Sequence, residues 1–208
     1  MKHINLIALT LASTIIISCE NPADKTTDAK VSEAVEKSSP AATGGTKYVF
    51  TPESQVNFVG SKVTGSHTGG FKAFTGYFTI KDGAPVGTDH KVTIDMTSTF
   101  SDDEKLTEHL KNADFFNVDK FPQALFQVTT ITLDSGSTYT VSGNFTLHGQ
   151  TKKITFPATV SQTGDEVKID AKFDINRKDF GIVYAGKTDD LIREEVVIEL
   201  KLTAKPEA

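Results

Sequence analysis

Near the C-terminus, Gly181-Ile182-Val183-Tyr184-Ala185-Gly186-Lys187-Thr188 spells the phosphate-cradling pattern G-x-x-x-x-G-K-[ST]. That chemistry needs a buried parallel strand before the loop and a helix after it, whose first amides face the phosphate. Here amphipathic strand patterns flank the motif on both sides and the chain ends soon after. The match reads as a coincidence and the segment as a loop joining strands. Of the histidines past the leader-like start, His67, His90, His109 and His148, none is spaced as H-x-H or H-E-x-x-H. The sequence therefore offers no metal site. No G-x-S-x-G elbow is present, and the one cysteine, Cys19, has another use, so nucleophilic catalysis has no support. The strongest polar grouping is Asn176-Arg177 with Asp179. Arg177 either binds an anionic head group or pairs structurally with Asp179 or Asp174, the pairing being favoured. His67, set among Thr, Ser and Gly, is either a turn or rim residue or a contact to a ligand head group, with Lys62 as its polar companion.

The elements that must position these residues begin with an address. Lys2 is followed by an apolar run from Ile4 to Ile17, too short for a permanent membrane span and suited to a secretory signal over residues 1–18. It ends Ile16-Ile17-Ser18-Cys19, resembling the lipobox in which a small residue precedes a cysteine that is lipidated. Acyl chains such as palmitate on Cys19 would hold the chain to a membrane, since one chain alone is marginal and several are firm. Glu20 follows the cysteine in place of the Asp that signals inner-membrane retention, so an envelope lipoprotein facing the periplasm, at the outer membrane, is expected. Residues 19–45 then lack aromatic residues and are rich in Ala, Ser, Thr, Lys and Glu. They read as a flexible tether, with a root-mean-square span of roughly 28 Å.

From residue 46 to 208 the hydrophobic period is two. Val92, Ile94 and Met96 alternate with Lys91, Thr93 and Asp95; Tyr139, Val141, Gly143, Phe145 and Leu147 alternate with Thr and Ser; Val167 to Ile175 and Val196 to Ala204 do the same. Asp82-Gly83, Ser135-Gly136, His148-Gly149 and Gly164-Asp165 punctuate the strands as turns. One helix interrupts, opened by Ser101 to Glu104 as a capping box and ending near Asn112. With no βαβ alternation the sheet is antiparallel. So many strands, each apolar on one face, must sandwich or close, and long strands on short connections favour an eight-stranded barrel. The expected fold class is thus all-β, an antiparallel eight-stranded lipocalin-like barrel with one short helix inserted between strands.

Twenty-seven acidic against 22 basic residues, net charge −5, argue against a nucleic-acid partner. Fourteen Phe and no Trp suit a smooth apolar lining. Phe58, Phe78, Met96, Phe100, Phe126, Phe145 and Phe173 lie on apolar strand faces, where each either lines a cavity or fills a solid core. Leu110, Phe115, Phe116 and Phe121 cluster on the helix and the loop after it, as a cap over one mouth or a plug of the core.

Three segments together carry a family resemblance: His109 to Pro122 (HLKNADFFNVDKFP), Gly143 to Lys152 (GNFTLHGQTK) and Phe173 to Ile182 (FDINRKDFGI). In this order and spacing they resemble the YceI-like family, over about Tyr48 to Lys205. Lys62-Val63-Thr64-Gly65-Ser66-His67-Thr68-Gly69 resembles a branch carrying K-x-T-G-x-H-x-G. The start departs from better-known members, with Tyr48 and Ser54-Gln55 where a Trp or a His-Ser pair is often found. The resemblance implies a lipocalin-shaped barrel holding a long isoprenoid, of quinone or polyprenyl type. The expected ligand-binding set is Phe58, Phe78, Met96, Phe100, Leu110, Phe115, Phe126, Phe145, Phe173, His67 and Arg177. No cofactor other than such a lipid is expected. The partners are an apolar lipid and the membrane, with a homodimer left open. The expectation is not an enzyme. An enzyme acting in the cavity, through His67 converging on Arg177 or Asp114, and an envelope interaction module stand as alternatives.

Overall fold

The computed structural model describes residues 20–36, 44–86 and 90–208. The signal segment and Cys19 lie outside them. The strands are β1 (Thr27–Asp28), β2 (Lys30–Glu33), β3 (Thr46–Phe50), β4 (Gln55–Lys62), β5 (Gly65–Phe71), β6 (Phe74–Lys81), β7 (Ala84–Pro85) and β8 (Lys91–Asp95). After them come β9 (Thr99–Ser101), helix α1 (Glu104–Lys111), β10 (Gln123–Ser135), β11 (Thr138–Leu147), β12 (Gln150–Thr163), β13 (Glu166–Asn176), β14 (Gly186–Lys187) and β15 (Asp190–Pro206).

Several of these are halves of one longer strand. β3 and β4 both run antiparallel to β15, Phe50 opposite Ala204 and Gln55 opposite Lys201. The break between them holds Pro52, which has no amide to give a ladder. β5 and β6 likewise form one strand, paired in turn with β4 and β3. So do β8 and β9, interrupted by a 3-10 turn at Met96–Ser98 whose second amide is capped by Asp95, Oδ1 accepting from Thr97 N at 2.9 Å. Counted this way, eight antiparallel strands close into a barrel, β13 pairing with both β12 and β15. The barrel fold expected from the two-residue period is what the sheet forms.

The closure is unequal along the axis. At one end Tyr48, Phe78, Val167 and Ala204 fill the interior, with Tyr48 and Phe78 stacked at 5.7 Å. At the other, the wall parts in two places. β9 has no strand partner on the β10 side, and α1 with the loop to Pro122 covers the gap. β12 and β13 pair only from Thr159–Thr163 to Glu166–Asp170 and then diverge. Into that second gap the chain's own N-terminal segment is laid. β1 runs parallel to β13 and β2 antiparallel to β12, so one strap completes the ladder on both sides.

The flexible tether expected over residues 19–45 is therefore corrected for residues 20–36. Ala23 and Ala29 are buried, and Val31 packs on the core. Asn144 clamps the strap's far end, its side-chain amide donating to Val35 O at 2.7 Å and its oxygen accepting from Val35 N at 3.1 Å. Composition hid this. The strap gains its stability from backbone ladders and from small residues that fit a close approach, not from large apolar side chains. The helix start is also corrected: Asp103 caps it, accepting from Leu106 N at 2.8 Å, because Ser101 is still paired in β9 with Gly69.

Candidate functional site

The wide half of the barrel is hollow. Its cavity measures about 170 Å³ and is walled by inward residues of the strands, α1 and the loop after it. An apolar cavity of about 150 Å³ stays dry and takes up a benzene-sized guest. Here the lining continues along β15 from Ile192 through Val196, Ile198 and Leu200 to Leu202, about 30 Å of strand at 3.3 Å per residue. The space is thus elongated, and suits a chain better than a compact ring. Beyond the cavity, the Tyr48–Phe78 stack fills the narrow end.

Of the residues expected from sequence, Phe58, Met96, Leu110, Phe115, Phe126, Phe145, Phe173 and Arg177 line this cavity. Phe78 does not: it belongs to the plug at the narrow end. Phe100 stands opposite Gly70 on the outer side of the wall, with Lys72 Nζ 5.7 Å from its ring centre. His67 stands outside the lining, its Nδ1 2.9 Å from Asp102 Oδ1. Phe121 is packed edge-on to His148 at 4.8 Å instead of facing the cavity. Ile154, Phe156, Ile198 and Leu200, absent from the expected set, are lining residues. The alternation that placed Phe145 and Phe173 also puts them inward, and Phe156 stacks on Phe173 at 4.1 Å.

The glycines of the lining strands are spaces that rings occupy. A Cβ on Gly69 would stand 2.4 Å from Phe58 Cζ, and one on Gly143 2.5 Å from Phe126 Cζ. Gly60 is different. It faces the cavity, and a Cβ there would meet nothing within 4 Å.

Among the described residues, Arg177 is the one charged group in the lining. It follows β13 in a 3-10 turn and is 4 % exposed. Neither Asp174 nor Asp179 receives it, which corrects the expected pairing. Its guanidinium instead donates to three backbone carbonyls, Ile182 O at 2.6 Å, Arg193 O at 3.0 Å and Ile192 O at 3.2 Å. Burial lowers its pKa, opposed by the charges of Glu194 and Glu195. The fork of fixed donors ties the loop after β13 to the start of β15, a task a point-charge lysine fits poorly. The same loop carries Tyr184, whose ring meets His109 and Phe115 at 5.3 Å each and so joins the loop to the α1 cover. Gly186 and Lys187 form a two-residue strand on β15, and no helix follows them, so the phosphate-loop pattern has no phosphate-loop geometry.

The convergence required by an enzyme is missing from the expected residues. His67 pairs with Asp102 and His109 with Asp114 at 3.0 Å, while Arg177 is held by carbonyls. The Asp102 carboxyl sits below its ordinary range, chiefly because Thr68 N donates to it and secondarily through His67. Among the described residues no group of His, Cys, Asp and Glu is arranged to hold a metal, and no helix is long and apolar enough to cross a membrane.

Outside the wall, the strap covers Asp174. Its carboxylate accepts from Thr26 Oγ1 at 2.6 Å, and its pKa is raised, first by burial and then by the charge of Asp28.

Comparison with known proteins agrees with this architecture. A UPF0312 protein of Pseudomonas putida (strain W619) is 32 % identical over 165 residues, covering 74 % of this chain and 85 % of that protein. Protein YceI of Escherichia coli O157:H7 is 36 % identical over 127 residues, 58 % of this chain and 64 % of that one. Among solved structures, Burkholderia cenocepacia BcnA superposes with a TM-score of 0.67 at 26 % identity, over 74 % of this chain and 97 % of that chain. A polyisoprenoid binding domain from Saccharophagus degradans, implicated in plant cell wall breakdown, gives 0.65 at 16 % identity, over 77 % and 98 %. The YceI-like domain model matches residues 48–204, the whole barrel apart from its N-terminal strap, and the chain belongs to that family.

Proposed function

We propose that this protein binds a long apolar lipid of isoprenoid type, a quinone or a polyprenyl chain, inside the wide half of its barrel. It carries or sequesters that lipid without transforming it. The observation that carries this reading is the elongated cavity, walled mainly by aliphatic and phenyl side chains, with Arg177 as its one charged group among the described residues. Transfer of such a chain from water is driven by its apolar surface, at ~25 cal/mol per Å². A few hundred Å² therefore offset the cost of immobilising it. The fold shared with the Saccharophagus polyisoprenoid binding domain supports the ligand class. Residues 1–18 act as an export signal, and Cys19 is acylated, so the barrel works at the periplasmic side of the outer membrane.

Native mass spectrometry of the full chain, released from membranes in mild detergent, tests both parts. The expected spectrum shows the barrel with one additional lipid mass and an acyl-modified N-terminus. A barrel that carries no lipid, and takes up neither a polyprenyl phosphate nor a quinone when offered, would overturn the binding assignment.

A further inference from the structure

The strap sets off from the wide end of the barrel. Asn21 stands beside the end of β4, its side-chain oxygen 3.5 Å from Ser61 Oγ. Gly60 faces the cavity, so Ser61 turns to the outside of the wall, and Val63 follows in the turn after β4. Val63 N donates to Leu191 O at 3.2 Å, which sets the two backbones side by side. Val63 is 53 % exposed, Leu191 49 %, and Val183, on the loop tied to Arg177, 65 %. At the opposite, plugged end, Leu133 near the β10–β11 turn is 55 % exposed. Beside Val63 and Leu191, Lys62 and Asp190 neutralise each other in an ion pair, and the exposed Lys187 and Asp189 just before them are opposite in sign.

Exposed aliphatic side chains alone name no partner. The covalent chain names one. Cys19 precedes Asn21 by two residues, and at 3.8 Å per residue its Cα lies within about 8 Å of the Cα of Asn21. An anchor on Cys19 has no slack: the strap is docked on the wall from Asn21 onward.

We propose that the wide end of the barrel docks on the lipid bilayer that receives the acyl chains of Cys19. Val63, Val183 and Leu191 dip into its interface, and the cavity opens toward lipid. The proposal rests on the acylation of Cys19 proposed above. It places the site at the membrane surface, so a lipid moves between bilayer and barrel without crossing water.

The test uses the full acylated chain with one added cysteine: Val63→Cys, Val183→Cys, Leu191→Cys or, as the reference, Leu133→Cys. Acylation occupies the Cys19 sulfur, leaving the added thiol for a polarity-sensitive fluorophore. The proteins are reconstituted in vesicles of phosphatidylethanolamine and phosphatidylglycerol containing spin-labelled lipid. Quenching at the three wide-end positions is expected to exceed that at Leu133 by about threefold or more, as for side chains at the headgroup boundary. Equal quenching at all four, or the strongest at Leu133, overturns the docking. The mass of the N-terminal peptide separates the two claims. An unmodified Cys19 overturns acylation and docking together, whereas an acylated Cys19 with uniform quenching overturns docking alone.

Discussion

Replacing Gly60 by leucine tests whether the cavity is both empty and the lipid site. A Cβ at Gly60 meets nothing within 4 Å, and the residue faces the interior, so a leucine enters space without displacing the wall. Its four side-chain carbons gain about 3 kcal/mol on burial at ~0.8 kcal/mol per carbon. Removing glycine from a strand adds roughly 0.5–1 kcal/mol, and the leucine's lost rotamer freedom costs a similar amount. The net is a stabilisation of about 2–3 kcal/mol, below the ~4 kcal/mol that filling all of the 170 Å³ at ~24 cal/mol per Å³ would give. For a barrel of this size the Tm of the delipidated protein should rise by roughly 5–10 °C. The same side chain blocks the guest, so uptake of a fluorescent isoprenoid should fall by about tenfold or more, equivalent to 1.4 kcal/mol. Gly65→Leu is the control, being equally uncrowded, in strand β5 and outside the lining: it carries the glycine contribution without the burial, so it raises Tm by no more than about 1–4 °C and leaves uptake unchanged. If Gly60→Leu raises Tm and leaves uptake intact, the lipid sits elsewhere. If it lowers Tm, the interior at Gly60 is not open.

Arg177→Met keeps the bulk but strips three carbonyls of their donor, and should cost about 3 kcal/mol in chemical denaturation; Arg177→Lys should recover less than half of it, since one ammonium cannot match the fork. Gly69→Ala forces a methyl against the Phe58 ring and Phe100 O and should destabilise by roughly 1–3 kcal/mol, seen as an earlier denaturation midpoint. The strap should respond to pH through Asp174. Its pKa in the fold is raised above the ordinary 3.8, so docking is strongest in acid, where the carboxyl is protonated, and weakens as pH rises through the raised value. Protection of the Ala29 amide, which donates to Asp174 O at 2.9 Å, should fall over that range after correction for intrinsic exchange. Asp174→Asn should abolish the fall, and an unchanged pH profile in that variant would assign the effect to another group.

What could be read from the chain followed the reach of each signal. Alternation is local, so Val92 to Met96 and Val167 to Ile175 declared their strands and their inward faces at once. Inward does not mean cavity-lining, however. Phe78 and Phe126 carry the same parity, and only their height along the axis separates a plug residue from a wall residue. Height depends on strand register across the barrel, which no short stretch encodes. Arg177 was recognisable as a special residue beside Asp174 and Asp179, yet its partners are backbone carbonyls, which have no letter in a sequence. The strap leaves no local signal for the same reason. Lys30 to Glu33 has little to bury and looks unstructured until β12 and β13, far along the chain, present two open edges to it.

Those open edges bear on how the molecule assembles. The strap is made first, but the strands it joins, β12 and β13, come from the last third of the chain, over a hundred residues later. Such distant pairings lengthen the average loop that must close and slow the search for the native topology. The leading segment must therefore wait, unpaired, until nearly the whole polypeptide has been made. The seam between β12 and β13 is then the last part of the wall to seal, and in the finished protein the first expected to reopen.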